Sequence, residues 1–300
     1  MEKRKILIDT DIGDDIDDAF ALALALSSEE IETVGITTVF RNTRARAQQV
    51  QKLLQTMGQN VPVRAGERLP VHEPIHPFDK DASAPLETQP PCQWEKSYDS
   101  FPVREDAVDF IIEAAEKYGN ELTLITIGPL TNIAKAIGKA PRSMRKIRAI
   151  VGMGGWFTNY EREWNILCDP EAADVVFSSG LPVYEVGLDV TLQCALEPDL
   201  LQSFTRSDDP LCKLLAVWLQ RWFAYFSFEK SVLHDPLTVA VLIENVCRFR
   251  EKYVKVNLTD NRGAIQVADK PTAGYAPIQV ATQVDTQKFY SVFKRKLLKI

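Results

Sequence analysis

Residues 6–19 read ILIDTDIGDDIDDA: a short apolar run followed at once by aspartates. The apolar run predicts a buried strand, and the periodic residues 18–27 predict a helix. Six carboxylates therefore fall within ten residues at the C-terminal end of a strand, where ligand sites of open α/β sheets lie. They are Asp9, Asp11, Asp14, Asp15, Asp17 and Asp18.

The alternation of strand and helix continues along the chain. Further strands are predicted at 33–39, 61–63, 122–127, 147–153 and 183–186, and further helices at 43–57, 105–118, 130–137, 169–177 and 286–299. Strands without polar alternation, separated by helices, predict an α/β fold with an open, mostly parallel sheet covered by helices on both faces. Residues 66–102 are rich in proline and predict a long loop region, and 253–285 predict short strands. We expect one domain over residues 1–300.

Bulk composition excludes several classes of protein. With 45% hydrophobic and 25% charged residues, the chain is typical of a soluble globular protein, and its net charge of −6 argues against a nucleic-acid partner. The longest apolar run, residues 19–26, is too short to span a membrane, which needs roughly 20 residues. Five widely spaced cysteines without a C-x-x-C pair predict neither a disulfide framework nor a zinc site, and they fit a cytoplasmic location.

The aspartate cluster predicts a metal site. Six buried anions would cost several kcal/mol of repulsion and desolvation unless a cation compensated them. The helix dipole at the start of the second element would stabilise one or two of them, but not six. Only oxygen ligands are offered, which favours Ca²⁺ or Mg²⁺ over zinc.

The residues alone leave two enzyme classes and a binding protein open. Asp9 and Asp11 resemble the Asp-x-Asp of the haloacid dehalogenase phosphatases, in which the first aspartate is a nucleophile and the pair holds Mg²⁺. That reaction also needs a lysine after a later strand, and neither Lys139 nor Lys146 directly follows one. A metal-dependent nucleoside or ribose binder without turnover is the third possibility.

The cluster also resembles the signature of the inosine-uridine-preferring nucleoside hydrolases, Asp-x-Asp-Pro-Gly-x-Asp-Asp-Ala. Here Ile12 replaces the proline and two residues are inserted. Aligning the Asp-Asp-Ala ends makes Asp17 and Asp18 the family's acidic pair, with Asp14 and Asp15 as the insertion.

Further segments are similar to this family in the expected order, so the resemblance covers nearly the whole chain. They are VFRN at 39–42, TIGPLTN at 126–132, VGMGG at 151–155, EWN at 163–165 with DPEAA at 169–173, and LHDP at 233–236. The resemblance implies a Rossmann-like nucleoside hydrolase fold with its site at the C-terminal strand ends, and calcium-dependent hydrolysis of ribonucleosides to ribose and free base.

The resemblance also implies a role for particular residues. Ca²⁺ would be held by Asp11, Asp18, Asp235 and the carbonyl of Ile127, and Asp11 would be the general base toward a metal-bound water that attacks an oxocarbenium-like sugar. Asp17 would accept the ribose 2′-hydroxyl. Contacts to the rest of the sugar are expected from Asn42, Met153, Asn159, Glu163 and Asn165.

On the base side, His234 is expected to give a proton to the departing base, and His76 is the better of two candidates, with His72, for a second base-side histidine. The aromatic residues between 218 and 228 would either stack on the base or pack in the core. Having histidine before Asp235 favours a broad or pyrimidine-tolerant enzyme. The family resemblance further implies a homodimer or homotetramer.

Overall fold

The computed structural model describes residues 3–72, 85–227 and 230–300. Its centre is a nine-stranded sheet of order β3-β2-β1-β4-β5-β6-β9-β7-β8. The strands are β1 Arg4–Thr10, β2 Ile31–Thr38, β3 Val63–Ala65, β4 Leu122–Ile127, β5 Ala149–Gly152, β6 Val183–Glu185, β7 Cys247–Val256, β8 Ile265–Ala268 and β9 Ala276–Val284.

Helices connect and cover these strands. They are α1 Asp17–Leu26, α2 Thr43–Met57, α3 Ala107–Tyr118, α4 Thr131–Lys139, α5 Pro141–Met144, α6 Trp164–Cys168, α7 Pro170–Phe177, α8 Leu188–Thr191, α9 Pro198–Arg206, α10 Pro210–Phe226, α11 His234–Ala240 and α12 Thr286–Leu297. Within the described part of the chain, no helix is both long and apolar enough to cross a membrane.

The sheet is parallel except at one edge, which confirms the predicted fold class. Strands β1 to β6 pair in parallel, and β9 joins them beside β6. Only β7 runs antiparallel, against both β8 and β9. Strands β2 and β3 lie on one side of β1, whereas β4, β5 and β6 lie on the other side. The strand order therefore reverses between β1 and β4. The crevice above such a switch point is where open α/β sheets bind ligands.

Both faces of the sheet are buried at strand β1. On β1, the side chains of Ile6 and Ile8 join one apolar cluster and that of Leu7 joins another, as the alternation of a strand requires. The first cluster includes α1, which is buried from Asp17 to Ala25, and the second includes parts of α3, α4 and α7. This arrangement explains why β1 and α1 lack the polar alternation of surface elements.

The structure differs from the sequence prediction mainly in the last third of the chain. The short strands expected within 253–285 begin earlier, at Cys247, and β9 returns to the parallel sheet by pairing Tyr184 with Gln279. In the proline-rich region, the described part contains two short 3₁₀ helices, Leu86–Thr88 and Lys96–Ser100. His76 and Phe228 lie outside the described residues.

Candidate active site

The acidic loop between β1 and α1 makes a tight turn at Gly13. Its φ of 120° lies in the region that favours glycine, and a Cβ there would fall 2.6 Å from Pro91 Cγ and 2.7 Å from Gln49 Oε1. The loop is thus pressed against α2 and against the segment after residue 85. This contact holds the inserted Asp14 and Asp15 in a fixed position beside the signature aspartates.

A buried arginine on α2 fastens this loop. The Arg46 side chain is 1% exposed and donates to the carbonyls of Asp11, Ile12 and Phe40 and to the Asp14 carboxylate. Its positive charge partly offsets the aspartates around it. Buried charges of this kind are stable only when they are paired and hydrogen-bonded, and Arg46 makes four hydrogen bonds, one of them to a carboxylate.

Three carboxylates from two helix N-termini converge on one point. Asp17 and Asp18 lie in the first turn of α1, and Asp235 lies in the first turn of α11. One oxygen from each can be chosen so that all three lie within 4.8 Å of one another. The backbone N–H of Asp235 donates to Asp17 Oδ2 at 3.3 Å, and the Thr10 hydroxyl donates to Asp18 Oδ1. The two helix dipoles favour negative charge at this point.

Burial makes these carboxylates hard to ionise together. It raises the pKa values of Asp17, Asp18 and Asp235 well above their usual range, and the neighbouring aspartates raise them further. The pKa of Asp11 is raised to about 7, again chiefly by burial. A divalent cation would relieve both burial and repulsion, and a donor set made of oxygen alone fits calcium or magnesium.

The carboxylates line a cavity of about 570 Å³, within the range of small-molecule sites. Elements from the whole chain contribute to it, including the ends of β1, β4 and β5 and the first turns of α6 and α11. The lining consists of Asp11, Asp14, Asp15, Asp17, Asp18, Arg41, Ile127, Met153, Arg162, Glu163, Trp164, Asn165, Leu188, Trp222, Phe226, His234 and Asp235.

One wall presents the predicted sugar-binding residues. Glu163 is the N-cap of α6, and its carboxylate accepts from the backbone N–H groups of Gly155, Asn165 and Ile166 at 2.8–3.0 Å. The Asn165 amide donates to the Met153 carbonyl at 3.1 Å, which leaves its side-chain oxygen as an acceptor. Both side chains are buried and fixed, so this wall is rigid before any ligand arrives.

Another part of the lining carries His234 and aromatic side chains. His234 Nδ1 lies 2.7 Å from the Thr191 hydroxyl, and burial lowers the pKa of the ring to about 4. Trp222 and Phe226, one helical turn apart on α10, line the cavity. Trp218 does not, since it is fully buried and donates to the Tyr98 hydroxyl. Some aromatic side chains of α10 therefore pack in the core, and others line the cavity.

Three predicted substrate contacts are not brought to this cavity among the described residues. Asn42 caps α2 instead: its side-chain oxygen accepts from Ala45 N, and its amide donates to the Thr88 carbonyl. Asn159 is exposed and lies outside the lining, and so does His72. His76 belongs to the segment that the structure does not describe.

The phosphatase reading of Asp9 is wrong on geometry. The Asp9 side chain points away from the cavity into the sheet, where Oδ1 accepts from Thr37 and Asn132. Burial raises its pKa to about 7, and these two hydrogen bonds occupy the Oδ1 that a nucleophile would have to present to a substrate. Lys139 is an exposed partner of Asp109, outside the cavity lining.

Sequence reasoning missed Arg41, Arg46 and Thr191. Phe40 and Arg41 both have left-handed backbone, with φ of 66° and 57°, and this turn places the Arg41 guanidinium 3.5 Å from Asp14 at the cavity wall. Left-handed φ costs roughly 1–2 kcal/mol per residue outside glycine, and such strain is often found at functional sites. No sequence pattern marks these three residues, because their roles depend on contacts between distant segments.

Comparison with known proteins agrees with this architecture. The family model for inosine-uridine preferring nucleoside hydrolases matches residues 6–291. The probable uridine nucleosidase 2 of Arabidopsis thaliana is 30% identical over 332 aligned positions, covering 99% of this chain and 98% of that protein. The pyrimidine-specific ribonucleoside hydrolase RihB of Escherichia coli is 32% identical over 316 positions, covering 97% and 96%. The solved purine-preferring ribonucleoside hydrolase from Gardnerella vaginalis superposes with a TM-score of 0.77 at 28% identity, over 98% of both chains. This chain belongs to the inosine-uridine preferring nucleoside hydrolase family, and it is therefore an enzyme of the glycosidase class.

Proposed function

We propose that this enzyme hydrolyses the N-glycosidic bond of ribonucleosides, with purine or pyrimidine bases, to ribose and free base, and that it depends on calcium. The observation that carries the proposal is the convergence of Asp17, Asp18 and Asp235 in a cavity that also presents Asn165 and His234. A site for a ribonucleoside needs polar side chains to bind the sugar and apolar side chains to bind the base. Here both kinds line one cavity, beside carboxylates that could hold a metal ion.

Asp11, Asp18, Asp235 and the Ile127 carbonyl are the proposed metal ligands, and all four residues line the cavity. Calcium bound there would act as a Lewis acid toward a water molecule and the two vicinal ribose hydroxyls. Calcium suits the site better than magnesium, because it accepts six to eight oxygens in irregular geometry, whereas magnesium demands a near-ideal octahedron.

The side chains around the sugar then perform the reaction. Asp11 takes the proton of the attacking water, since it follows β1 at the cavity wall beside the other proposed calcium ligands. Asp17 accepts the 2′-hydroxyl, while Glu163 and Asn165 hold the 3′- and 5′-hydroxyls beside Met153. This ring of carboxylates stabilises the positive charge that develops on the sugar.

On the other side of the bond, His234 is the proposed donor to the departing base. Trp222 and Phe226 supply apolar surface on which the base stacks. Contacts from Asn42, Asn159 and His76 to the substrate stay predictions.

The proposed setting is the cytoplasm, with the whole chain acting as one domain. The five cysteines are free, which suits a reducing compartment. A homodimer or homotetramer is proposed from the family resemblance, and light scattering coupled to gel filtration measures it directly.

The first experiment incubates the purified enzyme with uridine, cytidine, inosine and 2′-deoxyinosine, with calcium or with excess chelator. Calcium-dependent release of ribose and base from the three ribonucleosides supports the proposal. The 2′-deoxynucleoside should react about 10⁴-fold more slowly, because the missing hydroxyl leaves buried polar groups unmatched. Calcium-dependent binding of these nucleosides without ribose release would instead identify a binder, and full activity in chelator would overturn the metal requirement.

A further inference from the structure

The ring of His234 makes a hydrogen bond with the hydroxyl of Thr191, a residue outside the cavity lining. Thr191, the last residue of α8, is fully buried, and its Oγ1 lies 2.7 Å from His234 Nδ1. His234 itself lines the cavity, whereas Thr191 does not. Because Nδ1 is engaged by Thr191, Nε2 is the ring nitrogen available to a ligand.

The direction of this hydrogen bond follows from the surroundings of Thr191. A threonine in a helix usually gives its hydroxyl proton to the carbonyl three or four residues earlier. Here both of those carbonyls are already engaged: that of Gly187 accepts the backbone N–H groups of Val190 and Thr191, and that of Leu188 accepts the N–H of Leu192. Across the described residues, His234 Nδ1 is the one hydrogen-bond partner found for Thr191 Oγ1. A buried hydroxyl proton without an acceptor would cost about 1–3 kcal/mol, so the hydroxyl donates to Nδ1.

We propose that Thr191 is a positioning residue that fixes His234 as the tautomer with its proton on Nε2 and aims that N–H at the departing base. The inference rests on the proposed function and deepens it. An Nδ1 that accepts a hydrogen bond cannot carry the ring's proton, so a neutral imidazole places that proton on Nε2. The tautomer thereby turns His234 from a possible acceptor into a donor.

In this form His234 stabilises the departing base by a hydrogen bond, so the complete proton transfer expected of it from the sequence is not required. As the glycosidic bond breaks, its electron pair moves onto the base, where a ring nitrogen or carbonyl oxygen becomes negative. An N–H already aimed at that atom stabilises the charge without reorganisation. With the other tautomer, the lone pair of Nε2 would face the same atom and repel it.

Three variants test the inference kinetically in the calcium-loaded enzyme. Thr191→Val removes the hydroxyl at nearly constant shape, and Thr191→Ser keeps it. Thr238→Val is the matched control, since Thr238 is equally buried but its hydroxyl donates to the His234 backbone carbonyl, at 3.5 Å, and not to the ring. Each is assayed on uridine and on p-nitrophenyl riboside, whose leaving group needs no donor.

Thr191→Val is expected to lower kcat on uridine about 10- to 100-fold, with KM changed less than about twofold. Its kcat on p-nitrophenyl riboside should stay within about twofold of the parent, as should both activities of Thr191→Ser and Thr238→Val. Equal losses on both substrates would mean that Thr191 acts only on the general shape of the site. Unchanged turnover of uridine would equally overturn the inference.

Nitrogen-15 NMR of histidine-labelled enzyme reads the tautomer itself. The chain has three histidines, and the spectrum of His234→Ala assigns the signal of interest. The parent should show a protonated Nε2 and a bare, hydrogen-bonded Nδ1, and Thr191→Val should lose this preference. A proton on Nδ1 in the parent would refute the inference. If the parent cleaves neither substrate, the proposed function fails, while the NMR result still decides the tautomer.

Discussion

Arg46 is the residue on which the acidic loop most depends. It joins α2 to two carbonyls of the acidic loop, those of Asp11 and Ile12, to the Asp14 carboxylate and to the Phe40 carbonyl after β2. We expect Arg46→Met to lower the free energy of unfolding by about 3–5 kcal/mol, because it leaves buried acceptors and Asp14 without their partner.

Urea unfolding of Arg46→Met measures this loss. The control is Arg44→Met, two residues away on the same helix, where an exposed pair with Glu105 is worth about 0–1 kcal/mol. Similar losses for the two variants would show that Arg46 has no special role in holding the loop.

Asp11 carries the largest expected catalytic effect. Replacing it with asparagine preserves shape but removes both the base and a proposed calcium ligand, so kcat on uridine should fall about 10²- to 10⁴-fold. Circular dichroism should show an unchanged fold. Asp174→Asn, outside the cavity lining, is the control. Normal turnover by Asp11→Asn would remove Asp11 from both roles.

Glu185 offers a pH test, since it is 1% exposed and its Oε1 has no hydrogen-bond partner in the described structure. Burial, and secondarily Glu163, raises its pKa well above 4.5. The folded protein therefore keeps a proton that the unfolded chain loses above pH 4.5, so the stability that this group contributes is lost as pH rises toward the folded pKa.

Glu185→Gln removes this titration. The melting temperature of the variant should therefore rise relative to that of the parent as pH increases from 5 to 8. Exposed Glu113→Gln controls for the loss of a carboxylate. A difference between Glu185→Gln and the parent that does not change with pH would contradict the expectation.

Among individual residues, the sequence predicted those that belong to a motif, because the motif defines both the residue type and its position at the end of a strand or the start of a helix. Asp17, Asp18 and Asp235 meet, and Glu163 and Asn165 line the same cavity. Asn42 did not reach the cavity, because an asparagine before a helix is also a good N-cap and the structure uses it so. Arg46 and Thr191 were not predicted, since one buried arginine or threonine in a helix leaves no periodic signal.

Among the elements, those with strong hydrophobic periodicity were predicted best. Helix α2 begins at Thr43 and ends at Met57, and β4 spans Leu122–Ile127, as predicted. The pairing of β9 with β6 was not predictable, because a strand read from its own residues does not identify its neighbour. The position of the cavity, by contrast, followed from the predicted parallel sheet, since Asp11 and Ile127 at the strand ends line it.

The turn after β4 shows how closely two elements must approach to build the site. A Cβ on Gly128 would lie 2.8 Å from Asp11 Oδ1 and 3.0 Å from Asp11 N. Gly128→Ala should therefore displace Asp11 or the Ile127 carbonyl and weaken calcium binding at least about tenfold, as supporting residues of metal sites do when replaced.

Calorimetric titration with calcium measures this change. Gly138→Ala is the matched control, because nothing lies within 4 Å of its Cβ and it sits inside α4. That variant should bind calcium normally and gain about 0.5–1 kcal/mol of stability from helix propensity. Unaltered calcium affinity in Gly128→Ala would show that the turn can accommodate a Cβ without displacing the proposed ligands.

For the whole molecule, calcium should be a stabilising ligand. At a concentration about 100 times its Kd, an ion that binds only the folded state adds about 2.7 kcal/mol. We expect calcium to raise the melting temperature of chelator-treated enzyme by several degrees, and magnesium to raise it less.

Asp18→Asn should abolish the calcium-dependent rise, whereas Asp174→Asn should retain it. An equal rise with both ions would argue for a less selective site. A rise that survives in Asp18→Asn would place the ion elsewhere.

The hydrogen bond from Asp235 N to Asp17 joins residues 218 positions apart. An ion held between their helices would be a removable cross-link that closes a loop of most of the chain, comparable in reach to a long-range disulfide but governed by free calcium instead of redox potential. During synthesis, the ion could not find its complete set of ligands until α11 had emerged from the ribosome. Metal binding would then require that α1 and α11 have already come together, before β7 to β9 and α12 need be in place.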